Sequence, residues 1–272
     1  MTPRIDVITL GVSDLARAQR FFERGLGREV HRQPGDDAFR VVTGSHASEI
    51  VIRPWEDVAS DAGVQASSSG FRAFTLSCIL DTAQDVDAAL ATMSRHGGMV
   101  SKPPKNALWG YSAYVTDPDG YLWKVASSKR RPLIGGRTDV DGRAVEPKEL
   151  PLTIGVADMA RAKEFYRDGL GLPVKKDYRK FVMFAGADGT SDLGMYKREA
   201  LAADAGVPAA GTGFRGFALT HLVDSREQVD AFLTRAAAAG GRILKPAAAR
   251  GGPYGGCFSD VDGNLWNVAA RA

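Results

Sequence analysis

Four histidines and two cysteines supply all the imidazole and thiol chemistry of this 272-residue chain. His221 lies in the run Phe217-Ala-Leu-Thr-His-Leu-Val223, where strand alternation sets it on one face with Phe217, Leu219 and Val223. An imidazole so placed either hydrogen-bonds a ligand or acts as a general base, or it is a core histidine satisfied by a backbone carbonyl. Cys78 holds the equivalent place in Phe74–Leu80; no His or Asp partner is identifiable for it, so it reads as a small buried hydrophobe rather than a nucleophile. Lys124 and Asn267 alternate with Trp123 and Trp266 and point with Leu122 and Leu265. Beside an apolar cavity the lysine would meet an anionic group and the asparagine would offer both a donor and an acceptor; the alternative is a polar strand end reaching solvent. Trp109, Tyr111 and Tyr254 stand at strand starts among Gly110, Gly251, Gly252, Gly255 and Gly256, and are candidate aromatic walls. Arg72 and Arg215 recur in two Gly-Phe-Arg triplets, either pairing a carboxylate structurally or binding a ligand.

These residues recur because the chain repeats itself. Val7 to Gly27 reads against Pro151 to Gly171 at an offset of 144, and Gly70-Phe-Arg reads against Gly213-Phe-Arg at 143. The later register holds through Val86-Asp87-Ala88 and Val229-Asp230-Ala231, then through DPDGYLWKVA and DVDGNLWNVA. Two copies of one domain follow, residues 1–127 and 149–272, joined by a Gly-, Pro- and charge-rich linker over 128–148.

Each copy orders its elements the same way. Ile5–Val12 alternates as a strand, Asp14 and Asp158 stand at helix N-cap positions, and an apolar stripe at helical spacing runs until Gly27 or its counterpart. Short β-rich runs follow at Phe39–Thr43 and Glu49–Arg53, and at Lys180–Ala185 and Leu193–Lys197. A second cycle spans Phe71–Leu80 or Phe214–Val223, a helix at Ala83–His96 or Glu227–Ala239, and closing strands joined by Asp119-Gly120 and Asp262-Gly263 turns. Each copy thus predicts β-α-β-β-β twice. The acidic pairs Asp117/Asp119 and Asp260/Asp262 are explained by turn chemistry, not calcium.

Composition excludes several classes. With 44% hydrophobic and 25% charged residues the chain is an ordinary globular sequence, and a net charge of +3 gives no support to a nucleic-acid or membrane partner. The first residues lack the apolar core of a secretory signal, no apolar stretch is of spanning length, and Cys usage fits a reducing compartment, so the expectation is cytoplasmic.

TLGVSDLARAQRFFERGLG, the VDAAL/VDAFL helix with its Gly-Gly, and DPDGYLWKV/DVDGNLWNV, each present twice in order, resemble the vicinal oxygen chelate superfamily, the glyoxalase/bleomycin resistance/dioxygenase fold. The resemblance implies an α+β chain of paired βαβββ modules forming cup-shaped mixed sheets, two tandem domains and four modules, with cups built within one copy or across two. It also implies that metal-holding members use His and Glu from four strand positions. Here those positions fall on Val7 and Pro151, Lys124 and Asn267, Ile52/Arg53 and Met195/Tyr196, and on Cys78/His221 or, with another gap placement, Thr75/Ala218. That set leaves at best one imidazole per chain, so no metal and no cofactor are expected. The expected activity is metal-independent binding of a small organic molecule by His221, Asn267, Tyr254, Lys124, Trp109, Tyr111 and Cys78, in a monomer or homodimer. The alternative is a glyoxalase-like lyase/isomerase or dioxygenase-type enzyme with a degenerate metal site, His221 being its catalytic base.

Overall fold

The computed structural model of the protein describes residues 2–32, 35, 37–44, 47–107, 110–132, 147–187, 189–249 and 252–271. Most of the expected linker, and Trp109, lie outside the described residues. The first copy runs β1 (Val7–Val12), α1 (Leu15–Arg20), β2 (Val30–His31), β3 (Phe39–Val41), β4 (Glu49–Pro54), α2 (Trp55–Ala62), β5 (Ser68–Gly70), β6 (Phe74–Leu80), α3 (Ala83–Arg95), β7 (Met99–Ala107), β8 (Gly110–Thr116) and β9 (Leu122–Ser127). The second repeats it as β10 (Leu152–Val156), α4 (Met159–Glu164), β11 (Val174–Tyr178), β12 (Phe181–Phe184), β13 (Leu193–Lys197), α5 (Arg198–Ala205), β14 (Gly211–Gly213), β15 (Phe217–Val223), α6 (Arg226–Ala238), β16 (Arg242–Ala248), β17 (Gly255–Ser259) and β18 (Leu265–Ala270).

Local chemistry explains the element starts. The Asp14 carboxylate accepts from Arg17 N at 2.9 Å and that of Asp158 from Ala160 N at 2.8 Å, satisfying first-turn donors that no helical carbonyl reaches. Thr82 and Asp85 form a reciprocal capping box at α3. After α1 and α4 the chain widens into one π-turn, Phe21–Gly25 and Phe165–Gly169. The second-cycle strands begin at Phe74 and Phe217, three residues later than the sequence pattern predicts. Positive φ at Gly70 and Ala73, and at Gly213 and Gly216, turns the chain out of β5 and β14 before β6 and β15 begin.

The strands form two eight-stranded sheets, and neither belongs to one copy. One has the order β16-β17-β18-β15-β1-β4-β3-β2, the other β11-β12-β13-β10-β6-β9-β8-β7. Each therefore joins the first module of one copy to the second module of the other, through the antiparallel pairs β1 with β15 (Ile8 opposite Leu219) and β10 with β6 (Ile154 opposite Phe74). The choice left open by the sequence is decided: the cups form across the copies. At the crossing, buried Tyr121 Oη lies 2.5 Å from Gly11 O and 2.6 Å from Gly216 O.

One face of each sheet packs against the long helices. Trp123 and Trp266 are fully buried there, as expected for core residues, with Phe22 edge-on to Trp123 at 5.9 Å. The opposite, cup face is crossed by a helix that the sequence reading did not predict. Val58, Ala59 and Ala62 of α2 pack on Ala218, Cys257 and Leu265, while Leu201, Ala202 and Ala205 of α5 pack on Tyr114 and Leu122. No helix among the described residues is long and apolar enough to cross a membrane.

Candidate functional site

Strand register defines matching rows of side chains across the two cups. In the first, Glu49, Val7, Thr220, Asn267, Cys257 and Lys245 are successive neighbours on β4, β1, β15, β18, β17 and β16. In the second, Ser77, Lys124, Tyr114 and Lys102 occupy the corresponding places on β6, β9, β8 and β7. The helix across each cup adds a carboxylate at matching positions, Asp61 on α2 and Asp204 on α5.

The second cup is closed by its own charges. Asp204 Oδ2 accepts from Lys124 Nζ at 2.7 Å and from Tyr114 Oη at 2.6 Å, and Lys102 Nζ lies 3.5 Å from Asp204 Oδ1. Burial pushes the Asp204 carboxyl up, but the Lys124 ammonium and its hydrogen bond, the Tyr114 hydrogen bond and the Lys102 charge together outweigh it and hold the carboxyl below its usual range. Tyr114 is driven the other way, first by burial and then by the Asp204 charge, and stays a neutral donor.

The first cup is open where the second is locked. Asp61 turns to an ion pair with Arg53, and Lys245 Nζ donates to Ser60 O at 2.9 Å, so neither reaches the position matching Lys124. A cavity of about 240 Å³ remains, lined among others by Asp61, Lys245, Gly255, Cys257, Asn267 and Ala269. The Asn267 side-chain amide has no hydrogen-bond partner among the described residues, leaving two donors and an acceptor for a guest. Cys257 is buried, and burial pushes its thiol up to about 12 against the pull of Lys245, so it is an uncharged wall at neutral pH.

The sequence candidates separate sharply. Lys124 and Asn267 lie on the cup faces, with Leu122 and Leu265. His221 does share a face with Phe217, Leu219 and Val223, but that face is the helix-packed core. Its ring is 4.9 Å from that of Phe232 on α6, the residue is 2% exposed, and Nδ1 lies 3.3 Å from Asp6 Oδ2. Its place among the ligand-binding residues is corrected, because the apolar partners alternating with it belong to the core. Cys78 is buried on the same side of β6, its thiol pushed up to about 12 by burial despite Arg28. Tyr111 and Tyr254 likewise leave the cups: their hydroxyls donate to Asp87 Oδ1 on α3 (2.8 Å) and Asp230 Oδ1 on α6 (2.9 Å). Trp109 is outside the described residues. Tyr114, Asp204, Asp61, Lys102 and Cys257 were missed; the signal available was the Asp61/Asp204 match at the repeat offset of 143, and it needed the unforeseen helix to matter.

The donor set does not suit a metal ion. One carboxylate adjoins each row, Glu49 on β4 and its counterpart Asp192 just before β13, and these pair with Arg40 and with Lys175 (2.6 Å) beside a valine or a proline. The last-strand places hold an ammonium and an amide. No group of three His, Cys, Asp or Glu among the described residues is arranged to hold an ion.

A model of the Glyoxalase/Bleomycin resistance protein/Dioxygenase superfamily matches residues 4–125 and again 150–268. No curated protein sequence matches the chain. Among solved structures, glyoxalase I from Zea mays superposes with a TM-score of 0.64 at 16% identity, over 99% of this chain and 92% of that one. A candidate dioxygenase from Bacillus subtilis subsp. subtilis str. 168 gives 0.63 at 14% identity, over 99% and 85%. At such identities the likeness is one of fold.

Proposed function

Because the chain belongs to the Glyoxalase/Bleomycin resistance protein/Dioxygenase superfamily, whose model covers both copies, we propose that it is a metal-independent binding protein for a small organic molecule, held in the first cup. The observation that carries this reading is the unpaired Asn267 amide opening on a cavity of about 240 Å³. That volume is below the roughly 300–1,000 Å³ of drug-sized sites, so the guest is compact. Its recognised group is polar, a carbonyl or amide, because Asn267 presents both hydrogen-bond polarities; Asp61 is paired with Arg53, and Lys245 is held by Ser60 O. The second cup serves structure, its polar groups consumed by one another. A glyoxalase-type reaction using His221 as base is disfavoured by the burial of that ring behind the sheet, and a metal-assisted one by the donor set.

Ligand-observed NMR of the full chain against small neutral amides and carbonyl compounds tests the reading. Binding that survives exhaustive EDTA treatment and Lys124→Met, but is lost in Asn267→Leu, is expected. Binding lost on EDTA treatment, or unaffected by Asn267→Leu, overturns it.

A further inference from the structure

Arg72, Arg198 and Arg215 line one cavity of about 200 Å³ where the two copies meet, under the short β5–β14 ribbon. None has a carboxylate oxygen within ion-pair distance among the described residues. Arg72 Nη2 donates to Asp119 O at 2.9 Å. Arg198 Nε donates to Ala209 O at 2.9 Å, and its Nη2 to Gly211 O at 2.6 Å and Phe71 O at 3.1 Å. Arg215 Nη1 donates to Asn264 Oδ1 at 2.5 Å and Nη2 to Asp262 O at 2.6 Å. Of the two sequence readings for Arg72 and Arg215, carboxylate pairing is not made: carbonyl and amide oxygens fix them, which orient a guanidinium without neutralising it. The neighbouring carboxylates hold other donors, Asp119 those of Arg17 and Ser13, Asp262 that of Ala157 N at 2.7 Å; Asp262 also lines the cavity, and with Asp260 it partly offsets the Arg215 charge without an ion pair, leaving three guanidiniums against one lining acid.

The repeat shows that this is a departure from symmetry. Arg72 stacks 4.6 Å over Trp55 and 4.7 Å over Tyr121. The residues matching those rings are Arg198 and Asn264, so Arg215 loses both aromatic faces and meets a second cation instead. Trp55 Nε1 donates to Ala66 O just as Arg198 Nε donates to the matching Ala209 O, so the arginine keeps the structural bond and adds a charge. Arg198 Nη1 and Arg215 Nε have no acceptor among the described residues. Fixed, partly desolvated guanidinium forks of this kind match the geometry of phosphate and carboxylate groups.

We propose that the cavity at the junction of the two copies binds a small oxyanion, the phosphate or carboxylate group of a metabolite, between Arg198 and Arg215. The site is separate from the first cup and does not depend on the reading given for it.

Titration calorimetry of the full chain with inorganic phosphate and with acetate, each against chloride at matched ionic strength, tests the proposal. Arg198→Trp is the informative variant, because it restores the residue that the first copy tolerates at the matching position; Arg198→Gln is its companion, and circular dichroism verifies both folds. Saturable heat from phosphate, acetate or both, weakened roughly tenfold or more in both folded variants, is expected from losing a charge-assisted contact. The anion that binds more tightly identifies the group recognised. Absence of saturable heat with both anions, or equal affinity in wild type and Arg198→Trp, overturns the proposal.

Discussion

Lys124, on the last strand of the first copy, reaches Asp204, on the cup helix of the second, at 2.7 Å. The matching pair, Asn267 and Asp61, makes no such bond, since Asp61 turns to Arg53. One duplication has thus produced a cup tied by an ion pair and a cup left open.

Breaking that tie has a modest effect with a definite pH signature. The Asp204 side chain is 41% exposed, so solvent screening limits the loss in Lys124→Met to about 1 kcal/mol or less. Its carboxyl is held below the usual range in the fold, so the pair stabilises above the unfolded carboxylate value near 4 and stops doing so as pH falls through the lower folded value. Urea unfolding of wild type and Lys124→Met should differ at pH 7 and converge in acid; a gap that widens in acid contradicts the assignment.

Tyr121→Phe removes the hydroxyl set between Gly11 O and Gly216 O where the copies cross. Leaving a buried carbonyl short of its donor should cost about 1–3 kcal/mol in denaturant unfolding. An unchanged midpoint would mean that the crossing does not depend on this bond.

Gly216→Ala should be worse. A Cβ there would sit 2.4 Å from Trp55 Cζ3 and 2.7 Å from Tyr121 Oη, at a φ of +84°. Strain and overpacking together predict a loss of about 3 kcal/mol or more, read as a lowered melting temperature.

Cys78 and Cys257 are expected to resist thiol reagents in the folded protein at pH 8 and to react on unfolding. Burial holds both thiols near 12 in the fold, against 9.0 when free. A raised folded value means their contribution is complete below about pH 9 and is lost as pH rises from there towards 12. Rapid native labelling at pH 8 would contradict the burial.

What was legible in the sequence follows from local rules and from repetition. Alternation put Lys124 with Leu122 and Asn267 with Leu265, and the caps at Asp14 and Asp158 follow from donors that helix starts always leave over. Alternation fixes which residues share a face but not which face is the cup, and His221 shows the cost: its apolar company on β15 belongs to the core. The cup helices escaped notice because α2 and α5 are eight residues each and directly continue a strand, without a side-chain cap at Pro54 or Lys197. Asp204 and Tyr114 are 90 residues apart and meet only once the copies interleave.

The interleaving has a topological consequence. Neither half of the chain holds a complete sheet, so β1 and β10 each present an unpaired edge until the other half arrives. A chain cut between residues 128 and 148 should stay one particle, held by its sheets rather than by its backbone. The two halves expressed apart should either find each other or pair with themselves, which makes the duplicated chain a covalently closed version of a self-complementary dimer.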